Sequence, residues 1–482
     1  MKEAELELAA KLAIRSRCEL RPLHSTAGYA ELRENFAIGL PGKGRDSLEV
    51  IRNLVEAATP GLSGSTDPGF LAWVIGGSSP TGVAADWLAS AWGQNAGMFL
   101  TSPAAAVAEE VAGEWLVDLM QLPHGSSVGF STGATMAAFS CLAAARLGVL
   151  ARKGVDLEEC GLAGAPPVAI YIAEDAHVSN YSVLRYLGFG NRQIRRIPSL
   201  EQGTFDLAAL ETAMAEDGDA PRIVIAQAGH IMSGAFDDFT EIARLCREHD
   251  AWLHVDGAFG LWCRASPRLR HLAKGVDLAD SWSVDGHKWL QVPYDSGFAI
   301  VKDRAVHRAA MRMTAGYIER EAANEPDPSD YVPELSRRAR GFAAWAMLQH
   351  LGRRGLAEMI ERHCRAAHAI AAALGKVDGI ELRNDVVLNQ IALGFEPLPG
   401  MDAPEEVANR LNATGRYFLR TANWRGEKVL RISVISDRVD EQLGARLAHD
   451  LASVWRELRA SLSETNETRF RFARHMADTP LS

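Results

Sequence analysis

Two rhythms of hydrophobic and polar positions run through the middle of this chain. Short apolar runs rich in β-branched residues, VAIYIA (168–173), RIVIAQA (222–228), AWLHVD (251–256) and GFAIVK (297–302), predict buried strands. TMAAFSCLAAARLGVLARKG (135–154) and DFTEIARLCREHD (238–250) lie between them and predict helices. This alternation predicts an α/β fold, a mostly parallel sheet covered by helices on both faces. Two helical patterns fill 341–374 and lead to a smaller C-terminal α+β part. That part has strands at NQIALGF (389–395) and VLRISVI (429–435), and helices at 404–413 and 440–458. The expected division is an N-terminal helical segment over 1–100, a large domain over 101–374 and a small domain over 375–482. The closing RFRFARHMADTP (469–480) is expected to pack late or fray.

Composition narrows the partners. At 482 residues, 47% hydrophobic and 23% charged, the chain reads as an ordinary globular protein of two or three domains. A net charge of -10 argues against nucleic acid or an anionic membrane surface as the main partner. No run of about 20 apolar residues predicts a membrane span. The N-terminus, MKEAELELAAKLAIRSR, lacks the pattern of a signal peptide. Six scattered cysteines form no CxxC pair, which fits a reducing cytoplasm and gives no support for a metal site or a disulfide frame.

Ligands of such sheets bind at the carboxyl ends of the strands, so chemistry is sought there. In GFSTGATMAA (129–138), small residues and hydroxyls lead into a helix. Gly133 and Ala134 permit close approach and Thr135 adds a hydroxyl, a cradle for an anion; an ordinary helix cap explains the stretch equally well. LHVDGAFG (253–260) ends an apolar strand in Asp256, which can hold a proton on a ring nitrogen or form a structural ion pair. His177, in AEDAHVSNYS (173–182), can stack on a planar ligand, or serve only as a core histidine. SVDGHKWLQVPYDSG (283–297) sets Lys288 between His287 and the bulk of Trp289, where an unpaired ammonium would be costly to bury. The four pieces together match the needs of pyridoxal 5'-phosphate: a phosphate on 133–135, a ring under His177, a pyridinium partner in Asp256 and a Schiff base on Lys288. A lysine desolvated near other cations is readily deprotonated for that bond, and once occupied by the cofactor it is no longer a buried charge.

Further stretches extend the match: SPTGVAADWLASAWGQN (79–95), TSPAAAVAEEV (101–111), FSTGATMA (130–137), DAHVSNYSV (175–183), AGHIMSGAFDD (228–238), WLHVDGAFG (252–260), ADSWSVDGHKWLQVPYDSG (279–297) and SRRARGFAAWAMLQHLGRRGL (336–356). With these, the chain resembles the group II pyridoxal-phosphate-dependent amino acid decarboxylases, the family of aromatic-L-amino-acid decarboxylase. The resemblance spans about 60 to 435, and its most specific part is the ADS…HKW segment with VDxA upstream. It implies the aspartate-aminotransferase (fold type I) architecture, a homodimer with active sites at the subunit interface, and decarboxylation of an L-amino acid. Residue by residue it implies that Lys288 holds the cofactor and that His287, Asp285, Ala134 and Thr135 surround its phosphate. Asp256 would meet the pyridine nitrogen, Ala258 would pack on the ring, and His177 would stack above it. Phe70, Trp73, Pro80 and Phe99 lie in stretches that line the family's substrate pocket, which favours an aromatic or apolar side chain. Segment 94–103 would reach into the partner's site.

Three departures bear on the chemistry. His230 stands where the family has a small or amide side chain near the cofactor's hydroxyl, so it is expected to contact the cofactor and to influence the reaction type. The family's HPxF is DPGF (67–70) here, and one residue is missing near Ser79 and Pro80. The loop that carries the family's proton-donating tyrosine, about 317–335, is short; Tyr331 is the nearest candidate and Tyr317 the second. Replacement of that tyrosine by phenylalanine elsewhere in the family goes with aldehyde formation, which makes an aldehyde synthase, or another lyase acting at the α- or β-carbon, the alternative reading. A cofactor-binding protein without turnover is a third. The same loop carries Glu319, Glu321, Glu325, Asp327 and Asp330, which would repel an acidic substrate.

Overall fold

The computed structural model describes residues 3–19, 22–313 and 325–477, with side chains described to residue 461. Helices α1 (Ala4–Cys18), α2 (Tyr29–Phe36) and α3 (Ser47–Ala58) open the chain and pack mainly on one another. α4 (Pro80–Trp92) and α5 (Pro103–Leu119) follow, each begun by a proline whose missing N–H a first helical turn does not need.

The large domain is a seven-stranded sheet. Its elements, in chain order, are β1 (Ser127–Ser131), α6 (Ala134–Ala151), α7 (Leu157–Cys160), β2 (Ala169–Ala173), α8 (Val178–Tyr186), β3 (Ile194–Ile197), α9 (Leu207–Glu216), β4 (Arg222–Gln227), α10 (Phe239–Glu248), β5 (Ala251–Asp256), β6 (Ser281–Asp285) and β7 (Gly297–Val301). The strand order is β1-β7-β6-β5-β4-β2-β3, and only β7 runs antiparallel to its neighbours. Separate apolar clusters fill the two faces, so the expectation of a mostly parallel sheet covered on both sides holds. α6 is long and apolar enough to cross a membrane, but most of it is buried against the sheet and α8.

α11 (Arg304–Met311) lies against α6. The 341–374 region is α12 (Gly341–Leu374), two helical stretches separated at Gly352, whose φ of 57° and ψ of -179° only glycine adopts without strain. The small domain adds β8 (Ile380–Leu382), β9 (Gln390–Phe395), α13 (Ala403–Ala413), β10 (Arg420–Trp424), β11 (Glu427–Ser433) and α14 (Glu441–Ala477). Its four-stranded antiparallel sheet, in the order β10-β11-β9-β8, carries its own apolar core. The tail expected to fray from 469 lies within α14 as far as 477; its side chains and residues 478–480 lie outside the described residues.

The segment before α4 ties the domains to the site. Leu71 donates its N–H to the Phe418 carbonyl at 3.0 Å and accepts from the Ser433 N–H at 2.9 Å. A few residues on, Gly76 lies so close to the loop after β6 that a Cβ there would overlap the carbonyl oxygens of His287 and Lys288.

Candidate active site

One cavity of about 290 Å³ opens at the carboxyl ends of β4, β5 and β6 and the N-terminus of α6. Gly133, Ala134, Thr135, His177, Asp256, Ala258, Asp285, His287 and Lys288 all line it. Residues far apart in sequence converge there because neighbouring parallel strands end on the same edge of the sheet.

Lys288 sits in the loop between β6 and β7, and the residues after it hold that loop. The indole of fully buried Trp289 donates to His363 Nδ1 on α12 at 3.0 Å. The Gln291 amide donates to the carbonyls of Lys288 at 3.1 Å and Ile435 at 2.9 Å. Lys288 is mostly buried, and its Nζ lies 2.9 Å from Asp285 Oδ2. The expected neighbourhood of cations is therefore corrected: a carboxylate partners the ammonium, which is how the buried charge is tolerated.

Asp285 gathers the anion site. Its Oδ1 accepts the Ala134 N–H at 2.5 Å, at the N-terminus of α6, and lies 3.3 Å from His287 Nε2. Burial opposes ionisation of Asp285, but Lys288, His287 and the Ala134 N–H together outweigh it and hold the carboxyl below its usual range. His287 accepts the Ser296 N–H on Nδ1 at 3.2 Å, which puts its proton on Nε2, facing Asp285. Burial, and after it the Lys288 charge, lower the His287 pKa; Asp285 opposes them. A Cβ on Gly133 would come within 2.9 Å of the His287 ring and 3.2 Å of Asp285, so glycine alone leaves this floor open.

On β5, Asp256 Oδ2 accepts the Asn180 amide at 2.8 Å and Oδ1 accepts the Ala258 N–H at 3.2 Å. His254, two residues back and so on the same face of the strand, is fully buried and bonds Ser281 Oγ through Nδ1 at 2.9 Å. Burial lowers its pKa to about 4 against the opposing pull of Asp256. His177 caps α8; its Nδ1 is engaged by Ser179 Oγ at 2.7 Å, so Nε2 is the ring nitrogen available to a ligand.

Several expected residues lie elsewhere. His230 does not line the cavity: its Nδ1 accepts the N–H groups of Met232 and Ser233, its Nε2 faces the Asp175 carbonyl at 3.3 Å, and the ring packs near Trp424. Burial takes its pKa down to about 4, so it is a neutral ring that holds its own turn; Gly229 and Ile231 line the cavity beside it. Tyr331 packs 5.2 Å from the ring of His307, and its carbonyl presses on Gly129 of β1, so it borders a separate cleft and is not brought to Lys288. Glu325, Asp327 and Asp330 line that same cleft. Tyr317, Glu319 and Glu321 lie outside the described residues.

None of the four expected substrate residues lines the cavity of its own chain. Phe70 is buried on Phe418 with ring centroids 4.8 Å apart, and Trp73, 49% exposed, leans on the same ring at 5.7 Å. Pro80 starts α4, and the Phe99 N–H donates to Asp327 at 3.0 Å. Gln227 and Phe259, which line the cavity, and Asn180, which holds Asp256, were not among the expected residues. Gln227 carried a usable signal, a polar residue closing an apolar strand, as Asp256 does.

This donor set fits pyridoxal phosphate: a glycine floor at a helix N-terminus for the phosphate, a carboxylate for the ring nitrogen, an alanine face and a buried lysine. Comparison with known proteins agrees. The profile described as the pyridoxal-dependent decarboxylase conserved domain matches residues 30–395. An aromatic-L-amino-acid decarboxylase of Bacillus atrophaeus is 29% identical over 430 residues, 87% of each chain. A 4-hydroxyphenylacetaldehyde synthase of Rhodiola rosea is 28% identical, covering 78% of each. The structure of Oryza sativa TDC with PLP and tryptamine shares the fold, with a TM-score of 0.86 at 23% identity over 96% of this chain and 99% of that one. The lysine loop, the carboxylate at the end of β5 and the profile match together make this chain a member of the pyridoxal-dependent decarboxylase family, a pyridoxal-phosphate-dependent carboxy-lyase.

Proposed function

We propose that this decarboxylase converts an L-amino acid with an aromatic or apolar side chain to its amine and carbon dioxide, and that it works as a homodimer. The cavity lining carries the substrate class. Lys288 is its one lysine, His177 and His287 are its histidines, and no arginine lines it among the described residues. The side-chain carboxylate of glutamate or aspartate would enter without a cation to pair with, which is costly. The curated relatives named for aromatic amino acids support the same reading.

When bound, the cofactor supplies an electron-withdrawing pyridinium that lets a bond at the substrate's α-carbon break. Asp256, oriented by Asn180 and Ala258, keeps the proton on the ring nitrogen. Gly133, Ala134, Thr135 and His287 would hold the phosphate, and Ala258 and His177 would bound the ring. Lys288 leaves its pairing with Asp285 to hold the cofactor. The substrate carboxylate departs as carbon dioxide and a proton takes its place on the α-carbon. His177, with Nε2 available, is the described residue placed to hold that proton.

Aldehyde formation is the second reading, favoured by the placement of Tyr331 outside the cavity and by the relative named for it. It consumes dioxygen and water and yields aldehyde, carbon dioxide, ammonia and peroxide. A product assay separates the two. Cofactor-loaded protein is incubated with L-tryptophan, L-tyrosine, L-phenylalanine, L-leucine and L-glutamate, and products are read by mass spectrometry. Amine with equimolar carbon dioxide from an aromatic or apolar substrate is the expected result. Aldehyde with peroxide establishes the second reading, and turnover of glutamate alone overturns the proposed substrate class.

The dimer is proposed from the N-terminal helices. Leu40 is 100% exposed, and Phe36, Ile38, Val50 and Leu54 edge an open groove of about 600 Å³, apolar surface that a second copy would cover. The six cysteines are all free, which suits the proposed cytoplasmic setting.

A further inference from the structure

Gln227 closes β4, in register with Asp256 on β5. It is 5% exposed and lines the Lys288 cavity. Its side-chain Nε2 is buried with no hydrogen-bond partner. The main chain of Gln227 needs nothing further: its N–H donates to the Asp237 carboxylate at 2.7 Å and its carbonyl accepts the Asp237 N–H at 3.2 Å. Only the side-chain amide is left over. A buried donor without a partner costs about 1–3 kcal/mol, and a chain that retains one on the wall of a ligand cavity has a use for it there.

We propose that Gln227 donates this N–H to the ring hydroxyl oxygen of bound pyridoxal phosphate. The proposal rests on the cofactor assignment above and adds the contact that the resemblance had given to His230. Sheet order selects the atom. The phosphate anchors come from the β1–α6 turn and from β6, on one side of β5; Gln227 comes from β4, on the other side. On the cofactor ring, the carbon bearing the aldehyde lies between the carbon bearing the phosphate arm and the carbon bearing the hydroxyl. With the ring nitrogen at Asp256, the aldehyde carbon toward Lys288 and the phosphate arm toward α6, the hydroxyl edge faces β4. A donor on that oxygen favours its ionised form, so Gln227 holds down the pH midpoint of the cofactor's visible absorption band.

The test is Gln227→Met, which keeps length and removes the donor. Wild-type and variant apo chains are titrated with pyridoxal phosphate, the visible band is followed against pH, and both apo chains are melted. The expected result is an affinity roughly three- to tenfold weaker, the worth of one ordinary hydrogen bond, together with a raised pH midpoint. The apo melting temperature should hold or rise, because an apolar replacement removes the unpaired donor. Unchanged affinity and midpoint overturn the proposal, and so does a fall in apo melting temperature without loss of affinity, which would make the amide structural. If Gln227→Met does not fold, Gln227→Asn withdraws the amide by one methylene and must weaken affinity in the same way. A wild-type chain that develops no visible band overturns the cofactor assignment itself, a result distinct from failure of the Gln227 contact alone.

Discussion

Lys288 and Asp256 dominate at the scale of single residues. Lys288→Ala removes the only amine lining the cavity among the described residues, and turnover should fall by at least about 10⁴-fold, as for loss of a nucleophile. Treatment with pyridoxal phosphate and borohydride should label the wild-type chain at Lys288 and leave the variant unlabelled. Asn180→Leu tests a subtler role. Asn180 touches Asp256 and lines no part of the cavity, so it is a positioning residue. A hydrogen bond to a charged group contributes about 1.5–3 kcal/mol, so kcat should drop about ten- to a hundredfold with KM little moved, and the pH profile should shift. A loss confined to KM would contradict this. These roles were legible in the sequence to different degrees. Asp256 announces itself as a charge ending an apolar strand, and Lys288 as a charge set beside the bulk of Trp289. Asn180 does not, because its partner is 76 residues away and the fold alone joins them.

At the scale of elements, strands rich in β-branched residues were legible and sparse ones were not. SVGFS in β1 is mostly small residues, and IRRI in β3 is half arginine, so neither shows an apolar run. Both are strands because neighbouring strands supply their hydrogen bonds. The break at Gly352 was visible as two helical patterns; its backbone angles were not. The path of residues 70–77 over the lysine loop had no sequence signature at all. It gives a prediction: Gly76→Ala drives a methyl into the backbone oxygens of His287 and Lys288, which have no rotamer to escape by. The variant should lose stability by roughly 1–3 kcal/mol and bind pyridoxal phosphate less well. Normal melting and normal affinity would show that the segment moves aside freely.

The whole molecule carries a pH limit. Burial lowers the pKa of His230 and His254 to about 4 and that of His307 and His363 to about 3. Each ring is neutral when folded and takes up a proton on unfolding below about pH 6.5. The unfolded chain then binds more protons, so stability falls as pH drops from about 6.5 toward 4; by pH 5 each ring costs about 2 kcal/mol relative to pH 7. The apo melting temperature should therefore decline steeply between pH 7 and pH 5, and a flat profile would contradict the burial of these rings. The N-terminal groove makes a second prediction at this scale. Leu54→Glu places a charge on its apolar wall and should shift the chain from dimer to monomer in sedimentation, with activity lost alongside; a chain monomeric before the change would overturn the dimer.

By itself the sequence determined the α/β class and the cofactor, and it named most of the residues that line the cavity at Lys288. These rest on local rules: strand and helix periodicity, small residues at a helix start, charges at strand ends. Only the tertiary structure decided which neighbours those charges meet. It paired Lys288 with Asp285, turned His230 into its own loop and set Tyr331 beside His307. It also left Gln227 facing the cavity with an unspent donor. Side-chain direction at the ends of strands depends on packing from distant segments, and no spacing along one chain encodes it.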